Sequence, residues 1–225
     1  ADRPQKGRYR EFYQCDADVI GSNSLLNEIE LIQLCDEIFS ELDIPNIQIL
    51  INNRKILSAM IEMMSASDLF DEFVIILDKI DKIGIDNVKK ELLKIGVNQE
   101  KIDTLDKFLN IQNVSELSSL IGNSIIGQEG ISEINFIFNS IEKLGLKNSN
   151  IKFDISLARG LNYYTGAIFE VKSSDVEIGS IAGGGRYDDL TSIFGLDNVS
   201  GVGISFGIDR IYLVMEELAV FPQNI

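Results

Sequence analysis

Histidine and tryptophan are absent from the 225-residue sequence, which also holds only three prolines and two cysteines. Without histidine, the chain cannot form a Ser–His–Asp or Cys–His nucleophilic site, use histidine as a general base, or bind a metal through imidazole. Cys15 and Cys35 are too few for a tetrahedral zinc site or a disulfide framework. We therefore expect both cysteines to be small, buried apolar residues.

Long hydrophobic runs and an excess of positive charge are also missing. The longest strongly apolar run, residues 73–77, is far too short to span a membrane. The first ten residues are polar and basic rather than a signal peptide, so we expect a cytoplasmic protein with no membrane partner. The net charge of −15 excludes a general, nonspecific nucleic-acid binder, which would be basic.

What the chain does contain is enough apolar material for a core. Hydrophobic residues make up 45% of it, which suits one large domain or a core domain with an insertion. The negative charge is concentrated in the middle of the chain, whereas residues 1–10 carry more basic than acidic side chains.

Alternating side chains predict a strand over residues 9–20. One face of this strand would carry Phe12, Gln14 and Asp18, and the face that includes Tyr13 has the pattern of a core face. A solvated face could mix polar side chains by chance. A face that lines a cleft better explains the ring of Phe12.

The remaining periodicities predict strands on both sides of a long helical stretch. A helix over 24–42 and a strand over 47–51, ended by Asn52 and Asn53, come first. Amphipathic helices without proline then run to about residue 146 and predict a helical insertion. The later elements are strands over 152–157, 163–171, 177–182 and 199–206 and a helix over 207–219. We expect an α+β fold whose core, residues 1–57 and 150–225, is interrupted by a helical domain at 58–149.

Glycines are unusually frequent in two of the later stretches, residues 183–185 and 201–207. The chain has no P-loop motif, and the spacing of the second group misses the dinucleotide-binding fingerprint by one residue. Glycine weakens a strand, so its presence there needs a bulge or a close approach of backbone to another group. Two tight turns would explain the pattern, and so would two places where the backbone comes very near a ligand or another part of the backbone.

Two arginines are candidate anion-binding residues. Arg210 falls in the first turn of a predicted helix, where the helix dipole favours an anion over a cation. A ligand at that helix N-terminus would explain its position, and so would a side chain that reaches solvent. Arg159 precedes a strand predicted to begin at Tyr163, and its guanidinium could reach a carboxylate or phosphate. In that strand Tyr163 and Tyr164 would face opposite sides.

Three stretches, taken in order, resemble the histidyl-tRNA synthetase family of class II aminoacyl-tRNA synthetases. RPQKGRYREFYQCDAD (3–18) resembles class II motif 2, LARGLNYY (157–164) the family's histidine-specific motif, and GGGRYD (183–188) with residues 203–210 motif 3. The acidic middle falls where the family inserts a helical domain. The resemblance implies a class II antiparallel sheet with flanking helices, interrupted by that insertion.

The resemblance also implies an activity. Histidine and ATP would form histidyl-adenylate and pyrophosphate, and the histidyl group would then pass to tRNA(His). The family's other implied features are Mg²⁺ bound with ATP and a homodimer, and we expect no metal site made of protein side chains. Attack of a carboxylate on the α-phosphorus needs positioning and charge stabilisation rather than a protein base, so the absence of histidine is compatible with it.

Residue roles follow from the matching positions. The resemblance makes Arg159 and Arg210 catalytic, with Arg159 bridging the substrate carboxylate and the α-phosphate. It assigns ATP binding to Asp2, Arg8, Phe12 and Arg210, with Phe12 and Arg210 on the two faces of adenine. It assigns histidine binding to Gln14, Asp18, Arg159, Tyr163 and Tyr164, with Asp18 and Tyr164 at the two imidazole nitrogens.

The chain departs from the family pattern in two ways. Asp18 stands where many bacterial relatives carry glutamate. Motif 1, the first motif 2 arginine and the anticodon-binding domain are not in the sequence, so we expect a fragment with weak or no activity of its own. One alternative is a histidine-binding regulatory subunit of ATP phosphoribosyltransferase. Such paralogues tend to lose the motif 2 loop and the Arg-Gly-Leu-x-Tyr-Tyr run, both of which this sequence has. A non-catalytic fragment that only folds is a third reading.

Overall fold

A six-stranded sheet forms the centre of the molecule. The computed structural model describes residues 6–7, 9–111 and 113–222. The strands, in chain order, are β1 (Cys15–Ile20), β2 (Ile47–Asn53), β3 (Ser149–Phe153), β4 (Ala167–Ser173), β5 (Ala182–Tyr187) and β6 (Gly201–Phe206). They lie in the order β1-β6-β5-β4-β2-β3, and every pairing is antiparallel except that of β2 with β3. The predicted α+β fold is therefore confirmed.

Helices connect several of the strands, and one follows β6. They are α1 (Leu26–Glu41), α2 (Arg54–Met63), α3 (Phe70–Leu77), α4 (Ile80–Ile83), α5 (Ile85–Lys94), α6 (Gln99–Leu109), α7 (Val114–Ile121), α8 (Ile125–Leu144) and α9 (Ile208–Leu218). Short 3₁₀ turns occupy Ser67–Leu69 and Leu190–Phe194. The helices α2 to α8 all fall between β2 and β3, which is the long connection that a parallel pair requires. Within the described ranges, no helix is both long and apolar enough to cross a membrane.

The strand β2 is buried along almost its whole length. Its residues Ile47, Ile49 and Ile51 are at most 1% exposed, because helices cover the sheet where β2 pairs with both β3 and β4. The prediction that Asn52 and Asn53 end this strand is wrong, since both remain paired with β4. Both asparagines are fully buried, and the side-chain amide group of each donates a hydrogen bond to another part of the fold.

The triple glycine is part of a strand, so the prediction of a strand over 177–182 that ends before it is wrong. β5 includes these glycines, and neighbouring parts of the chain pack so closely against them that a side chain would not fit. At Gly184 a Cβ would collide with the backbone carbonyl of Gly203 on β6. Of the two explanations left open for the glycines, close approach is correct here and a tight turn is not.

The first strand is shorter and less buried than predicted. β1 begins at Cys15, so residues 9–14 lie outside it. The expected core face is also wrong at its start, because β1 is an edge strand and Tyr13 is 79% exposed. Cys15 is exposed, contrary to expectation. Cys35 is buried as expected, and burial raises the pKa of its thiol to about 12.

Candidate active site

Two adjoining pockets open over the part of the sheet formed by β1, β5 and β6. The smaller one, called here the inner pocket, has a volume of about 210 Å³ and the larger one, the outer pocket, about 570 Å³. Gln14 and Ser205 line both pockets, so the two share a wall. The inner pocket is lined mainly by Asp18, Tyr163, Tyr164, Gly183, Tyr187 and Gly203, and the outer pocket mainly by Tyr9, Phe12, Arg159, Leu161, Asp209 and Arg210.

The carboxylate of Asp18 lies across the neighbouring strand. Asp18 pairs with Gly203 in the register of β1 and β6, and a Cβ on Gly203 would collide with the carboxylate. The hydroxyl of Tyr187 donates a hydrogen bond to Asp18 Oδ1 at 2.5 Å. Burial, followed by the bond to Asp18, raises the pKa of Tyr187, so this hydroxyl stays protonated and continues to donate.

Both tyrosines of the predicted histidine-specific motif face the inner pocket. They lie in a turn before β4 rather than in a strand, which is why the expected placement on opposite faces is wrong. The ring centroids of Tyr163 and Tyr164 are 4.6 Å apart, and the ring of Tyr163 meets that of Tyr187 edge-on at 6.5 Å. Burial is the largest cause that raises the pKa of Tyr163. The pocket therefore combines the carboxylates of Asp16 and Asp18 with the neutral hydroxyl groups of Tyr163 and Tyr187.

Arg159 projects its guanidinium over β5. Its Nη1 lies 3.5 Å from Glu170 Oε2, and Lys172 Nζ lies 3.0 Å from the other oxygen of that carboxylate. Glu170 pairs with Gly183 across β4 and β5, and a Cβ on Gly183 would collide with the guanidinium. The missing side chain thus leaves the space that Arg159 occupies, and Glu170 holds it there.

The backbone of Arg159 is unusual. Its φ is +53°, in the left-handed region that costs a non-glycine residue about 1–2 kcal/mol. A residue held in such a conformation is stabilised by its surroundings, and strain of this kind clusters at functional sites.

Arg210 lies in the first turn of α9, as predicted. Its Nε donates to the carbonyl of Gly7 at 3.1 Å and its Nη1 to the carbonyl of Ser180 at 2.6 Å. These carbonyl dipoles offset the unfavourable position of a cation at a helix N-terminus. The half-buried guanidinium lines the outer pocket, as does the exposed ring of Phe12.

Three predicted site residues remain, and the structure describes one of them. Gln14 lines both pockets, and its side-chain amide donates to Asp16 Oδ2 at 2.6 Å. Asp2 and Arg8, predicted to bind ATP, lie outside the described residues. Elsewhere in the chain, over the ranges that are described, no three carboxylate or thiol groups come together as a metal site.

Tyr187 and Glu170 are candidate residues that the sequence reasoning missed. Tyr187 was available, because strand alternation through the triple glycine would place it on the same face as Gly183. Glu170 gave no such signal. Its contact with Arg159 depends on the pairing of β4 with β5 and on the conformation of the loop that carries Arg159.

Comparison with known proteins identifies the family. The family model described as histidyl-tRNA synthetase matches residues 1–211. The chain belongs to the histidyl-tRNA synthetase family. Its relatives include the histidine--tRNA ligases of Flavobacterium johnsoniae, 52% identical over 231 residues, and Porphyromonas gingivalis, 54% identical over 229 residues. All of this chain is covered by each alignment, which takes in 49% and 50% of the two relatives. The chain thus spans about half the length of the curated relatives it matches.

Solved structures of the histidyl-tRNA synthetase family share the fold. The crystal structure of histidyl-tRNA synthetase from Nostoc sp. PCC 7120 matches 95% of this chain and 52% of its own, with a TM-score of 0.85 and 32% identity. A Bacillus halodurans protein described as an ATP phosphoribosyltransferase regulatory subunit/histidyl-tRNA synthetase has a TM-score of 0.76 at 19% identity. This second likeness concerns the fold alone.

Proposed function

We propose that this chain is the catalytic core of a longer histidine--tRNA ligase. In that protein, L-histidine and ATP form histidyl-adenylate and pyrophosphate, and the histidyl group passes to tRNA(His). One observation carries the proposal. A pocket with a carboxylate and neutral tyrosines shares a wall with a pocket that contains two guanidinium groups, Arg159 and Arg210.

The inner pocket has the chemistry to select an imidazole. Asp18 accepts a hydrogen bond from one ring N–H, and the hydroxyl of Tyr164 bonds to the other ring nitrogen. Because Tyr187 donates to one oxygen of Asp18, the carboxylate is held in one orientation before the substrate enters. Tyr163 packs against both Tyr164 and Tyr187 and supports the pocket wall.

The shared wall brings the substrate carboxylate toward the outer pocket. Gln14 binds the amino or carboxylate end of histidine, and Arg159 bridges that carboxylate and the α-phosphate of ATP. A carboxylate oxygen attacks the α-phosphorus, the bond to the β-phosphate breaks, and pyrophosphate leaves. Phe12 and Arg210 hold adenine between them, and Arg159 offsets the negative charge that develops at phosphorus.

Mg²⁺ enters this scheme as part of the substrate MgATP. The carboxylate of Glu170, beside Arg159, is already engaged by Arg159 and Lys172. Its charge is therefore used to hold side chains rather than offered to an ion.

ATP binding by Asp2 and Arg8, a homodimer and a cytoplasmic location complete the proposal. So does a division into core parts 1–57 and 150–225 around a helical domain at 58–149.

The proposal is tested by histidine-dependent ATP–pyrophosphate exchange in the full-length protein. Arg159→Ala should lower exchange at least about 100-fold, since it removes a charge aimed at the transition state. Histidine binding, followed by calorimetry, should remain measurable because the inner pocket is intact. Lys147→Ala is the matched control, as Lys147 is exposed and pairs with Glu37 far from both pockets. Unchanged exchange in Arg159→Ala would remove Arg159 from the mechanism.

Two further outcomes separate the proposal from its alternatives. Histidine binding without exchange in the full-length protein would favour a regulatory subunit. Residues 1–225 alone should exchange much more slowly than the full-length protein, because the first motif 2 arginine is absent. Equal rates would show that this chain carries a complete adenylation site.

A further inference from the structure

Arg54 is a buried arginine next to the segment that carries Arg159. It is the first residue of α2 and is 3% exposed. Its Nη1 donates to the carbonyls of Ala158 at 3.1 Å and of Arg159 at 3.4 Å, and its guanidinium lies 4.8 Å from the centre of the Phe70 ring. Because burying a guanidinium is costly, the presence of an arginine at this buried position needs an explanation.

Asn52 holds the preceding turn of the same segment. Its side-chain amide donates to the carbonyls of Ile155 at 3.1 Å and Leu157 at 2.9 Å, and it is fully buried. Asn52 and Arg54, which we call the carbonyl clamp, thus bind four carbonyls between residues 155 and 159. Both side chains come from the rigid junction of β2 and α2.

The four carbonyls lead directly into the left-handed residue of the site. Arg159 has a φ of +53°, and from this backbone its side chain extends over Gly183. Glu170 holds the guanidinium of Arg159, but its bond does not fix the backbone. The carbonyl of Arg159 is itself a ligand of Arg54, so the clamp acts on the peptide plane that follows the strained φ.

We propose that Arg54, supported by Asn52, is a positioning residue that holds Arg159 in its left-handed conformation and so sets the place of its guanidinium. Arg54 does not line either pocket and touches no substrate in this scheme. The proposal rests on the proposed function, in which Arg159 contacts the reacting groups. It adds a residue of the β2–α2 junction to the machinery and predicts an effect on catalysis that acts through Arg159.

The first test measures the clamp without reference to activity. Amide hydrogen exchange of residues 155–162 is followed by mass spectrometry in this chain and in Arg54→Met, whose unbranched side chain still fills the space over Phe70. Loss of the two bonds should speed exchange in this segment at least about 10-fold. Lys55→Met is the matched control, because Lys55 is the next residue and pairs with Glu129 and Glu133 on α8. Equal rates of amide hydrogen exchange at residues 155–162 in Arg54→Met and in the unsubstituted chain would overturn the proposal.

The second test asks whether Arg54 acts through Arg159. In the full-length protein, Arg54→Met should lower kcat for ATP–pyrophosphate exchange about 10- to 100-fold, since a small misplacement of a catalytic group has that effect. The KM for histidine should change less than about twofold, because the inner pocket is untouched. Arg54→Lys, which keeps a donor and a charge, should recover part of the loss and serves where Arg54→Met does not fold. Lys55→Met should leave exchange unchanged.

A double substitution separates this proposal from the proposed function. In an Arg159→Lys background, Arg54→Met should cost much less than it does alone, since both act on one guanidinium position. Losses that simply multiply would overturn the positioning role. If Arg159→Ala leaves ATP–pyrophosphate exchange unchanged, the proposed mechanism fails. Faster amide hydrogen exchange in Arg54→Met would still support the carbonyl clamp.

Discussion

At the scale of single residues, one hydroxyl controls the orientation of the only carboxylate that we assign to substrate recognition. Tyr187 donates to Asp18, and burial keeps this tyrosine neutral by raising its pKa. An aspartate is one methylene shorter than a glutamate, so it has less reach with which to correct its own position. A fixed orientation matters more for a short side chain.

Tyr187→Phe should therefore weaken histidine recognition. Loss of one hydrogen bond to a charged group lowers binding free energy by about 1–2 kcal/mol, which corresponds to a rise of roughly 5- to 30-fold in the KM for histidine. The KM for ATP should stay the same. Steady-state exchange at varied histidine and ATP measures both, with Tyr212→Phe on the exposed surface of α9 as the control. An equal rise in both KM values would contradict the role given to Tyr187.

At the scale of an element, β5 is a strand whose glycines have different neighbours. The space beside Gly183 contains the end of the flexible Arg159 side chain, whereas the space beside Gly184 contains the backbone of β6. A flexible side chain can move aside, but paired backbone cannot without loss of sheet hydrogen bonds. The same substitution at these two adjacent positions should therefore affect different properties, activity at Gly183 and stability at Gly184.

Gly183→Ala should lower exchange at least about 10-fold with little change in the melting temperature, because it displaces the Arg159 guanidinium. Gly184→Ala should destabilise the fold by about 1–3 kcal/mol or more, as overpacked core positions do. Thermal unfolding followed by circular dichroism, together with exchange assays, separates the two effects. A stable and fully active Gly183→Ala variant would show that Arg159 does not need the space over this glycine.

Sequence patterns predicted the presence of helices and strands better than the residues at which they begin and end. The helix predicted at 24–42 and observed as α1 follows from regular apolar spacing, which a single sequence displays. The limits of β5 could not be predicted, because they depend on how closely β6 approaches. Asp18, Tyr163 and Tyr164 were predicted through resemblance, and the structure places all three around one pocket. Glu170 and Arg54 could not be predicted, since their contacts join residues far apart in the chain.

At the scale of the whole molecule, both the net negative charge and the buried thiol of Cys35 should lower the stability of the fold in alkaline solution. The net charge is −15 at pH 7 and becomes more negative as the pH rises. The thiol of Cys35 has an ordinary pKa of 9.0 and a pKa of about 12 in the folded chain. Its contribution to stability is therefore complete below about pH 9 and is lost progressively between pH 9 and about pH 12.

The free energy of unfolding should fall as the pH rises above 9. The Cys35 contribution declines by about 1.4 kcal/mol per pH unit in that range, since only the unfolded state releases the proton. Urea denaturation between pH 7 and 10.5 measures the slope, which should be smaller in Cys35→Ala. Repeating the series at high salt reduces the repulsion and leaves the thiol effect. Equal slopes for Cys35→Ala and the unsubstituted chain at high salt would contradict this assignment.

The order of strands in the sheet has a consequence for biosynthesis. Within the described residues β1 pairs with β6, which of these six strands lies furthest along the sequence. A ribosome must therefore complete residue 206 and move it beyond the exit tunnel before Asp18 can face Gly203. Until then, the edge of β1 that pairs with β6 is open, and open strand edges are where chaperones and wrong partners bind nascent chains. The inner pocket, which is lined by both Asp18 and Gly203, is therefore among the last features of the sheet to form, so a ligand of that pocket cannot assist the early stages of folding.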